Sequence, residues 1–389
     1  MTGLWIPSAT VLSPQRGLHY DVYVFDVTSL YPTMIINYNV SPETINCYCC
    51  KNNIKARETF SQELIKDCQF IPPKDKGYWI CQQKKGLFSK ILQELTEQRI
   101  KYKKEGNKIE SFAIKGIINS GYGVFGHSHF KYYDPKVAEI ITMLGRQTLS
   151  EMQKIADNLT LTVLYGDTDS LFVNGIKSKE DAVKFIDGCK RKLNIDVIHE
   201  KTFRKLILVS KKHYVGILSD LNHDPIIKGM EGIKSDRPEF IQTVFIEMIN
   251  DIKNDINPIP KLKQAINELD SRKVSADKLA ISLILIKNPQ EYVNDCLHKR
   301  LGIKNSLKKG NTLVYYKCDK QEVAKDHQGN NQIKNISESS NSEDISYAKY
   351  KEILINSIKD VIDILGYDIE QDLLSKKRLV SHYLSASNT

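Results

Sequence analysis

Two carboxylates lie two residues apart in segment 165–170, which reads Tyr-Gly-Asp-Thr-Asp-Ser. The apolar runs 161–164 and 171–173 flank it, so the pattern predicts a β-hairpin whose turn carries Asp167 and Asp169. Like charges this close repel, which makes the arrangement costly unless a cation binds there. Hard divalent cations such as Mg²⁺ prefer oxygen ligands and keep positions open for phosphate oxygens. Aspartate is also common in turns for its backbone geometry alone, so this segment leaves both interpretations open.

Another candidate carboxylate lies near the start of the chain. Residues 21–27 have the pattern of a buried strand, and Asp26 is near its end. Segment 29–36 follows, and its Pro32 is compatible with the first turn of a helix. A carboxylate at a strand end, next to the N–H groups of a helix start, favours the binding of metal and phosphate together. The alternative is an aspartate that only caps the helix.

The size and composition of the chain are those of a soluble globular protein. Its 389 residues suffice for two or three substructures, with 41% hydrophobic and 26% charged residues. The formal net charge of +9 has the right sign for a polyanionic partner. Eight cysteines without a signal peptide indicate a reducing compartment, and no apolar run reaches the roughly 20 residues of a membrane span.

Two helices with mainly basic polar side chains are predicted in the first half of the chain. Residues 86–105 have the spacing of an amphipathic helix, and a second helix starts near residue 110 after a break at Gly106 and Asn107. The polar side chains that they present are Arg99, Lys103, Lys115, Asn119 and Tyr122, the last three on one stripe. A solvated basic face is the usual interpretation. Glycines weaken the second helix by about 1 kcal/mol each, which favours a backbone that another molecule approaches closely.

The later segments are mainly helical. Helices are expected at 134–156 and 179–193, and 205–218 is expected to be strand-like with Lys211, Lys212 and Tyr214 near its centre, where lysines can contact phosphates. From about residue 236 the pattern predicts helices at 238–256, 261–270, 275–285, 289–301 and 345–365, a strand at 310–316 and a mobile polar loop at 320–343.

Five of the eight cysteines fall between residues 37 and 85, at Cys47, Cys49, Cys50, Cys68 and Cys81. A structural zinc site is one interpretation, but the Cys-x-Cys-Cys spacing differs from the usual Cys-x-x-Cys. The spacing favours scattered buried thiols.

Together these segments resemble the motifs of the family B DNA polymerases, in order and over nearly the whole chain, with an archaeal character. The first catalytic motif of that family is similar to Asp26-x-x-Ser29-Leu30-Tyr31-Pro32, the fingers motif to Lys115-x-x-x-Asn119-Ser120-x-Tyr122-Gly123, and the second catalytic motif to 165–170. The duplex-gripping motif is similar to Lys211-Lys212-x-Tyr214, and the stretch before the thumb to Lys228-Gly229-Met230-Glu231.

The resemblance implies an α+β right-hand polymerase with an antiparallel-sheet palm, two-helix fingers and a mostly helical thumb. The implied boundaries are 1–85 for the first part of the palm with its cysteine-containing insertion, 86–130 for the fingers, 131–235 for the second part of the palm, and 236–389 for the thumb and a basic tail. The implied reaction is template-directed addition of dNMP from a dNTP to a primer 3′-hydroxyl.

The resemblance also implies a role for each matching residue. Asp26, Asp169 and the Val27 carbonyl would hold two Mg²⁺ ions, which Mn²⁺ can replace, and Asp167 would lie beside them with a lesser role. The residues implied to bind the incoming dNTP are Ser29, Leu30, Tyr31, Arg99, Lys103, Lys115, Asn119 and Tyr122. Of these, Lys115 would also give a proton to pyrophosphate, and Tyr31 would exclude a 2′-hydroxyl. Lys211, Lys212 and Tyr214 would hold the primer–template DNA.

The chain departs from the family pattern in three respects. Only 25 residues precede Asp26, where the family has an amino-terminal domain and a 3′–5′ exonuclease, so we expect no proofreading and a separate chain that supplies these parts. Gly121 stands where the family usually has a larger apolar residue, which predicts a looser nucleotide pocket. The cysteine-rich segment has no role in the family pattern.

Two further expectations concern partners and activity. Lys376, Leu379, His382 and Tyr383 have the spacing of a sliding-clamp-binding peptide, although lysine replaces glutamine at its start and His382 replaces an aromatic residue; a frayed basic terminus is the alternative. The alternative function is a weakly active or inactive DNA-binding scaffold that needs a partner chain. A polymerase of this kind is expected in the cytoplasm, associated with the nucleoid.

Overall fold

The computed structural model describes residues 12–50, 68–71, 78–294, 296–325 and 331–368. The chain forms two compact units, the first made of Met1–Gln15 and Tyr20–Phe203 and the second of Arg16–His19 and Arg204–Thr389. Among the described helices, none is long and apolar enough to cross a membrane.

The first unit is built on antiparallel strands that contain both predicted catalytic segments. The strands are β1 (Gly17–Val27), β4 (Thr162–Asp167), β5 (Ser170–Asn174) and the first part of β6 (Val197–Ser210), in the order β4-β5-β1-β6. A separate two-stranded ribbon consists of β2 (Cys68–Ile71) and β3 (Tyr78–Cys81). Val22, Val24 and Phe25 of β1 are buried in the core, because a strand covered by helices needs apolar side chains there.

Helices cover this sheet and confirm three predicted segments. They are α1 (Leu30–Tyr38), α4 (Pro135–Asn158) and α5 (Lys179–Leu193). Helix α4 begins at a proline, and the side chain of Asp134 before it accepts a 3.0 Å hydrogen bond from the Lys136 amide, which is a typical N-cap. Helix α1 begins at Leu30, two residues before the proline that was expected to open it.

The two basic helices are α2 (Leu87–Lys104) and α3 (Lys108–Ser120), and the break between them is at Gly106, whose φ of +74° suits glycine. Helix α3 ends at Ser120, so Tyr122 lies outside it, at the start of a short 3₁₀ turn (Gly123–Gly126). The expectation that the helix itself includes Tyr122 is therefore wrong, although the backbone of Gly121 and Tyr122 keeps right-handed helical angles. Glycines at 121, 123 and 126 end the helix because they lower helix propensity.

The second unit contains the rest of β6 with β7 (His213–Leu218) and β8 (Ile226–Lys228), and a core of helices. Its helices are α6 (Glu239–Lys253), α7 (Ile259–Asp270), α8 (Ala276–Leu279), α9 (Leu297–Lys304) and α10 (Tyr347–Ile364). A three-stranded sheet has the order β11-β10-β9, with β9 (Ile281–Ile284), β10 (Thr312–Lys325) and β11 (Asn331–Ser339). Helices and antiparallel sheets occur in both units, which confirms the α+β class.

Three predicted elements of the second unit differ from the structure. The segment 205–218 is two strands, because Lys212 adopts a φ of 62° and reverses the chain. The segment 275–285 contains one helical turn and then a strand, since a short apolar run fits either element. In 289–301 a 3₁₀ turn (Pro289–Glu291) comes first, and the helix begins only at Leu297.

The segment 320–343 was expected to be a mobile loop, but its described residues include the end of β10 and all of β11. The backbone pairing of β10 with β11 orders this segment, and at its described end Lys317 lies opposite Glu338 and forms a 3.0 Å ion pair with it. The sequence shows the charged residues of this segment but not which of them pair across the two strands.

Candidate active site

Strand β1 and the β4–β5 hairpin bring Asp26 and Asp169 to the same end of the sheet. Asp26 lies opposite Ser170 in the strand register, directly beside the hairpin turn. The amide of Val27 donates a 2.8 Å hydrogen bond to the carbonyl oxygen of Asp169. The predicted hairpin is confirmed, and this hydrogen bond fixes its turn against the end of β1.

The β4–β5 turn and the connection between β1 and α1 each contain a residue with a left-handed backbone. Thr168 has a φ of 58° and Ser29 a φ of 53°. Such residues cost about 1–3 kcal/mol each and cluster at functional sites, and a β-branched residue such as threonine is especially unusual there. The Thr168 hydroxyl donates a 3.2 Å hydrogen bond to the Asp167 carboxylate. Asp167 therefore supports the turn that presents Asp169.

The environment of Asp26 disfavours its charged form. The pKa of Asp26 is raised from 3.8 to about 6: burial is the largest cause, the charges of Asp169 and Glu200 act in the same direction, and Lys201 and Lys115 oppose the shift. Paired carboxylates that repel each other in this way are stabilised by a divalent cation. The donor set of two carboxylates and the Val27 carbonyl consists of oxygen atoms, as Mg²⁺ requires, so the residues fit this ion.

Helix α1 begins at Leu30, shortly after Asp26 in the chain. The carbonyl oxygen of Ser29 accepts a 3.0 Å hydrogen bond from the Thr33 amide, and the Thr28 amide donates to the Asp196 carbonyl at 2.9 Å. The first N–H groups of a helix lack acceptors within the helix and attract anions. The Ser29 and Leu30 amides are therefore placed where a phosphate can bind beside the carboxylates.

Four polar side chains from α2 and α3 line the same cleft, which has a volume of about 360 Å³. Arg99 and Lys103 come from α2, and Lys115 and Asn119 come from α3. The Nε atom of Arg99 is buried and has no hydrogen-bond partner among the described residues. An orphaned donor of this kind fits an anionic ligand, because an unsatisfied buried N–H is costly.

Tyr31 lines the cleft, and Tyr122 packs against it. The two ring centroids are 4.4 Å apart. Burial is the largest cause that raises the pKa of Tyr31, to about 12, so the phenol is neutral at physiological pH. A Cβ atom at Gly145 of α4 would lie 3.1 Å from the Tyr31 ring. Glycine at position 145 therefore allows the ring to lie close to α4.

The described residues that line the cleft are Asp26, Val27, Thr28, Ser29, Leu30, Tyr31, Pro32, Arg99, Lys103, Lys115, Asn119, Thr168, Asp169 and Ile198. Ten of these were predicted as site residues, and Thr28 and Pro32 lie within the first predicted motif. Asp167 and Tyr122 were predicted for the same site but are outside the lining set. Gly121 also lies outside the lining set. A Cβ atom at this position would meet the Ile118 carbonyl at 3.2 Å and the Leu92 side chain at 3.5 Å.

Sequence reasoning missed Ile198, Glu200 and Lys201 of β6. Ile198 lines the cleft, and the two charged residues act on the pKa of Asp26. Lys201 and Glu200 form an ion pair of 3.1 Å. Strands that carry neighbouring residues of opposite charge are common on protein surfaces. The local sequence of β6 therefore did not show that this strand borders the cleft.

The lysines predicted to hold DNA lie in the second unit, in the β6–β7 turn. Lys211 and Lys212 are exposed, whereas Tyr214 is buried with 8% of its surface exposed. Gly229 has a φ of +63°, and a Cβ atom there would lie 2.3 Å from the Lys212 carbonyl oxygen. This close approach explains the glycine in the 228–231 segment, which packs against the lysine turn.

Comparison with known proteins identifies the family. The family model of DNA polymerase family B matches residues 6–365. The chain is 32% identical over 322 residues to DNA polymerase 1 of Sulfolobus acidocaldarius, an alignment that covers 76% of this chain and 35% of the relative. It is 30% identical over 341 residues to DNA polymerase 1 of Aeropyrum pernix, covering 79% of this chain and 33% of the relative. The chain therefore belongs to DNA polymerase family B.

The fold agrees with this assignment. The solved structure of the family B DNA polymerase from the hyperthermophilic archaeon Pyrobaculum calidifontis matches with a TM-score of 0.64 at 22% identity, over 92% of this chain and 46% of that chain. The resemblance to family B, including its archaeal character, is confirmed. The chain spans about a third of the length of the two curated relatives above, at 35% and 33%.

Proposed function

We propose that this chain is a DNA-directed DNA polymerase that adds dNMP from a dNTP to the 3′-hydroxyl of a primer, as directed by a template. The observation that carries the proposal is the meeting of Asp26 and Asp169 at one cleft, opposite the basic side chains of α2 and α3. Family membership supports the same activity. A triphosphate needs both parts, since its charge must be neutralised while its α-phosphorus is positioned.

Asp26, Asp169 and the Val27 carbonyl are the residues that would hold two Mg²⁺ ions, or Mn²⁺ in their place. When bound, the ions lower the pKa of the primer 3′-hydroxyl and neutralise charge on the triphosphate. Asp169 is the ligand supplied by the hairpin, and Asp167 stabilises the turn through Thr168. The raised pKa of Asp26 supports this assignment, because a site with repelling carboxylates gains most from cations.

The remaining cleft residues position the nucleotide. Arg99, Lys103 and Asn119 bind phosphate oxygens, and the Ser29 and Leu30 amides bind others at the start of α1. Lys115 gives a proton to the departing pyrophosphate as a general acid. Tyr31 packs beneath the sugar and excludes a 2′-hydroxyl, and the Tyr122 ring packs against the Tyr31 ring.

The domain assignment follows from these roles. Residues 1–85 and 131–235 form the palm, 86–130 the fingers, and 236–389 the thumb with its basic tail. Lys211, Lys212 and Tyr214 hold the primer–template DNA; because Tyr214 is buried, the two exposed lysines make the contacts to phosphate. The clamp-binding peptide at Lys376, Leu379, His382 and Tyr383 lies outside the described residues and remains a sequence-based prediction.

Primer extension tests the proposal. The purified chain is incubated with a 5′-labelled primer on a longer template, Mg²⁺ and four dNTPs, and compared with Asp26→Ala and Asp169→Ala variants whose folding is checked by circular dichroism. We expect wild type to extend the primer and both variants to lose extension by about 10³-fold. A folded wild-type chain that binds primer–template without extending it would favour the inactive DNA-binding scaffold instead.

A further inference from the structure

Three cysteine sulfurs lie together at the end of strand β3. The Sγ atoms of Cys47 and Cys49 are 3.3 Å apart, and those of Cys49 and Cys81 are 3.5 Å apart. All three sulfurs lie within 4.8 Å of one another. The expectation of scattered buried thiols is therefore wrong for these three residues, and Cys49 is exposed. The side chains of Cys50 and Cys68 lie outside the described part of the structure. The sequence could not show this, because Cys81 is more than thirty residues away from the other two.

Backbone hydrogen bonds fix the two chain segments that bear these cysteines. Ile45 and Ile80 form an isolated β-bridge. The Asn46 amide donates to the Trp79 carbonyl at 2.8 Å, and the Cys81 amide donates to the Thr44 carbonyl at 2.9 Å. The sulfurs are thus presented by a paired backbone that holds them in place, as a preorganised ligand set requires.

The backbone also orients the sulfur of Cys81. The N–H groups of Gln83 and Lys84 donate hydrogen bonds to this sulfur. Backbone N–H groups that donate to a ligand sulfur fix its position, which is the usual arrangement around a structural metal.

We propose that Cys47, Cys49 and Cys81 bind a structural Zn²⁺ ion. Zinc–sulfur bonds of about 2.3 Å in a tetrahedron place neighbouring sulfurs about 3.8 Å apart, close to the separations seen here. The separations are well beyond the roughly 2.05 Å of a disulfide bond. In the backbone register of β2 and β3, Cys68 lies opposite Cys81.

The cluster is connected to the start of α2. The side-chain amide nitrogen of Asn39 donates to the carbonyl oxygens of Cys81 at 2.7 Å and Lys84 at 2.8 Å. The Asn39 side-chain oxygen accepts a 2.7 Å hydrogen bond from the Gly86 amide. A metal ion bound to Cys81 therefore stabilises the junction between α1 and α2, and we assign it a structural rather than a catalytic role.

Metal analysis of the intact chain, purified without chelators, tests this inference independently of polymerase activity. We expect about one zinc per chain by mass spectrometry of the metal content, lost in Cys81→Ser and in Cys49→Ser. Cys49 is exposed, so the second variant is expected to fold even if the first does not. Cys296→Ser, a partly buried cysteine outside the cluster, should keep its zinc.

Cobalt substitution gives a second readout. Co²⁺ bound in place of zinc should show thiolate charge-transfer and tetrahedral ligand-field absorption in wild type and Cys296→Ser, but not in Cys49→Ser. Three outcomes would overturn the inference: a metal-free chain that does not take up Zn²⁺, iron with labile sulfide in place of zinc, or a thiol titration that shows a disulfide within the cluster.

Discussion

The Val27 amide donates a 2.8 Å hydrogen bond to the carbonyl oxygen of Asp169. Val27 directly follows Asp26, so this one contact ties the hairpin turn to the strand that bears the other carboxylate. The relative position of two acidic residues more than a hundred positions apart is thus set by backbone geometry. Side-chain changes at either position should alter chemistry while leaving this framework in place, which makes the site suitable for mutagenesis.

Asp169 and Asp167 are expected to differ in importance. Asp169→Asn should lower the single-turnover rate of nucleotide addition by about 10³-fold or more, since a charged group at the reacting centre is lost. Asp167→Asn should lower it by less than about 10²-fold, because Asp167 acts through the Thr168 hydroxyl and an amide oxygen can still accept that hydrogen bond. Equal losses in the two variants would contradict this division of roles.

Asp26→Asn is expected to stabilise the metal-free protein. The pKa of Asp26 is raised to about 6 from 3.8, so the folded state binds this proton more tightly than the unfolded state. Ionised Asp26 therefore destabilises the fold increasingly as the pH rises from about 4 to about 6, with the full penalty above that range. The melting temperature of Asp26→Asn in EDTA should exceed that of wild type at about pH 8, and the difference should shrink towards pH 4.

The exposed Asp224 of the second unit provides a control, because Asp224→Asn should leave the melting temperature nearly unchanged across the same pH range. Added Mg²⁺ should raise the melting temperature of wild type more than that of Asp26→Asn, since binding to the folded state stabilises it. A difference between wild type and Asp26→Asn that is independent of pH would show that the charge of Asp26 is not its cause.

Substitutions of the basic residues that line the cleft should fall into two kinetic classes. Lys115→Ala should lower kcat by roughly 10²–10⁴-fold, as expected for a lost general acid. Arg99→Ala should mainly raise the KM for dNTP, by roughly 10-fold, because a charge-assisted phosphate contact is lost. Lys104→Ala on the same helix is the matched control, since Lys104 is exposed and outside the described lining of the cleft. An equal loss in Lys104→Ala would indicate a general effect of charge.

Tyr31 is expected to determine sugar selectivity. Tyr31→Ala should reduce the preference for dNTP over rNTP by roughly 10–200-fold, the range for removing a steric contact, whereas Tyr31→Phe should retain it. Gly145→Ala should produce a smaller loss, because its Cβ atom would lie 3.1 Å from the Tyr31 ring and displace it. Steady-state incorporation of dNTP and rNTP measures this preference. Unchanged selectivity in Tyr31→Ala would contradict the role assigned to Tyr31.

The lysine turn is expected to contact DNA phosphates. The double change of Lys211→Ala with Lys212→Ala should weaken primer–template binding and reduce the slope of log K against log salt concentration by about 1 to 2. The exposed adjacent pair Lys308 and Lys309 allows a charge-matched control, in which Lys308→Ala with Lys309→Ala should change the slope less. Fluorescence anisotropy over a range of salt concentrations measures both, and identical slopes would argue against a specific role for this turn.

The sequence by itself determined the elements with strong local signals. The hairpin around Asp167 and Asp169, the α2–α3 pair with its break at Gly106, and α5 all form where the pattern placed them, because turn chemistry and apolar spacing act over a few residues. The motifs also identified the family, because the order and spacing of residue types can be recognised without knowing which residues are in contact. Elements with weak local preference, such as 275–285 and 320–343, were misassigned because pairing with distant strands decides them.

Tertiary structure alone decided which residues meet. It placed Asp169 beside Asp26 and Arg99 opposite them, left Tyr122 and Asp167 outside the cleft lining, and gathered Cys81 with Cys47 and Cys49. Each of these contacts joins positions from different elements, and their distances follow from strand register and helix packing. A pattern along one chain encodes the period of an element, whereas the meeting of two elements depends on long-range burial and backbone pairing that no local window contains.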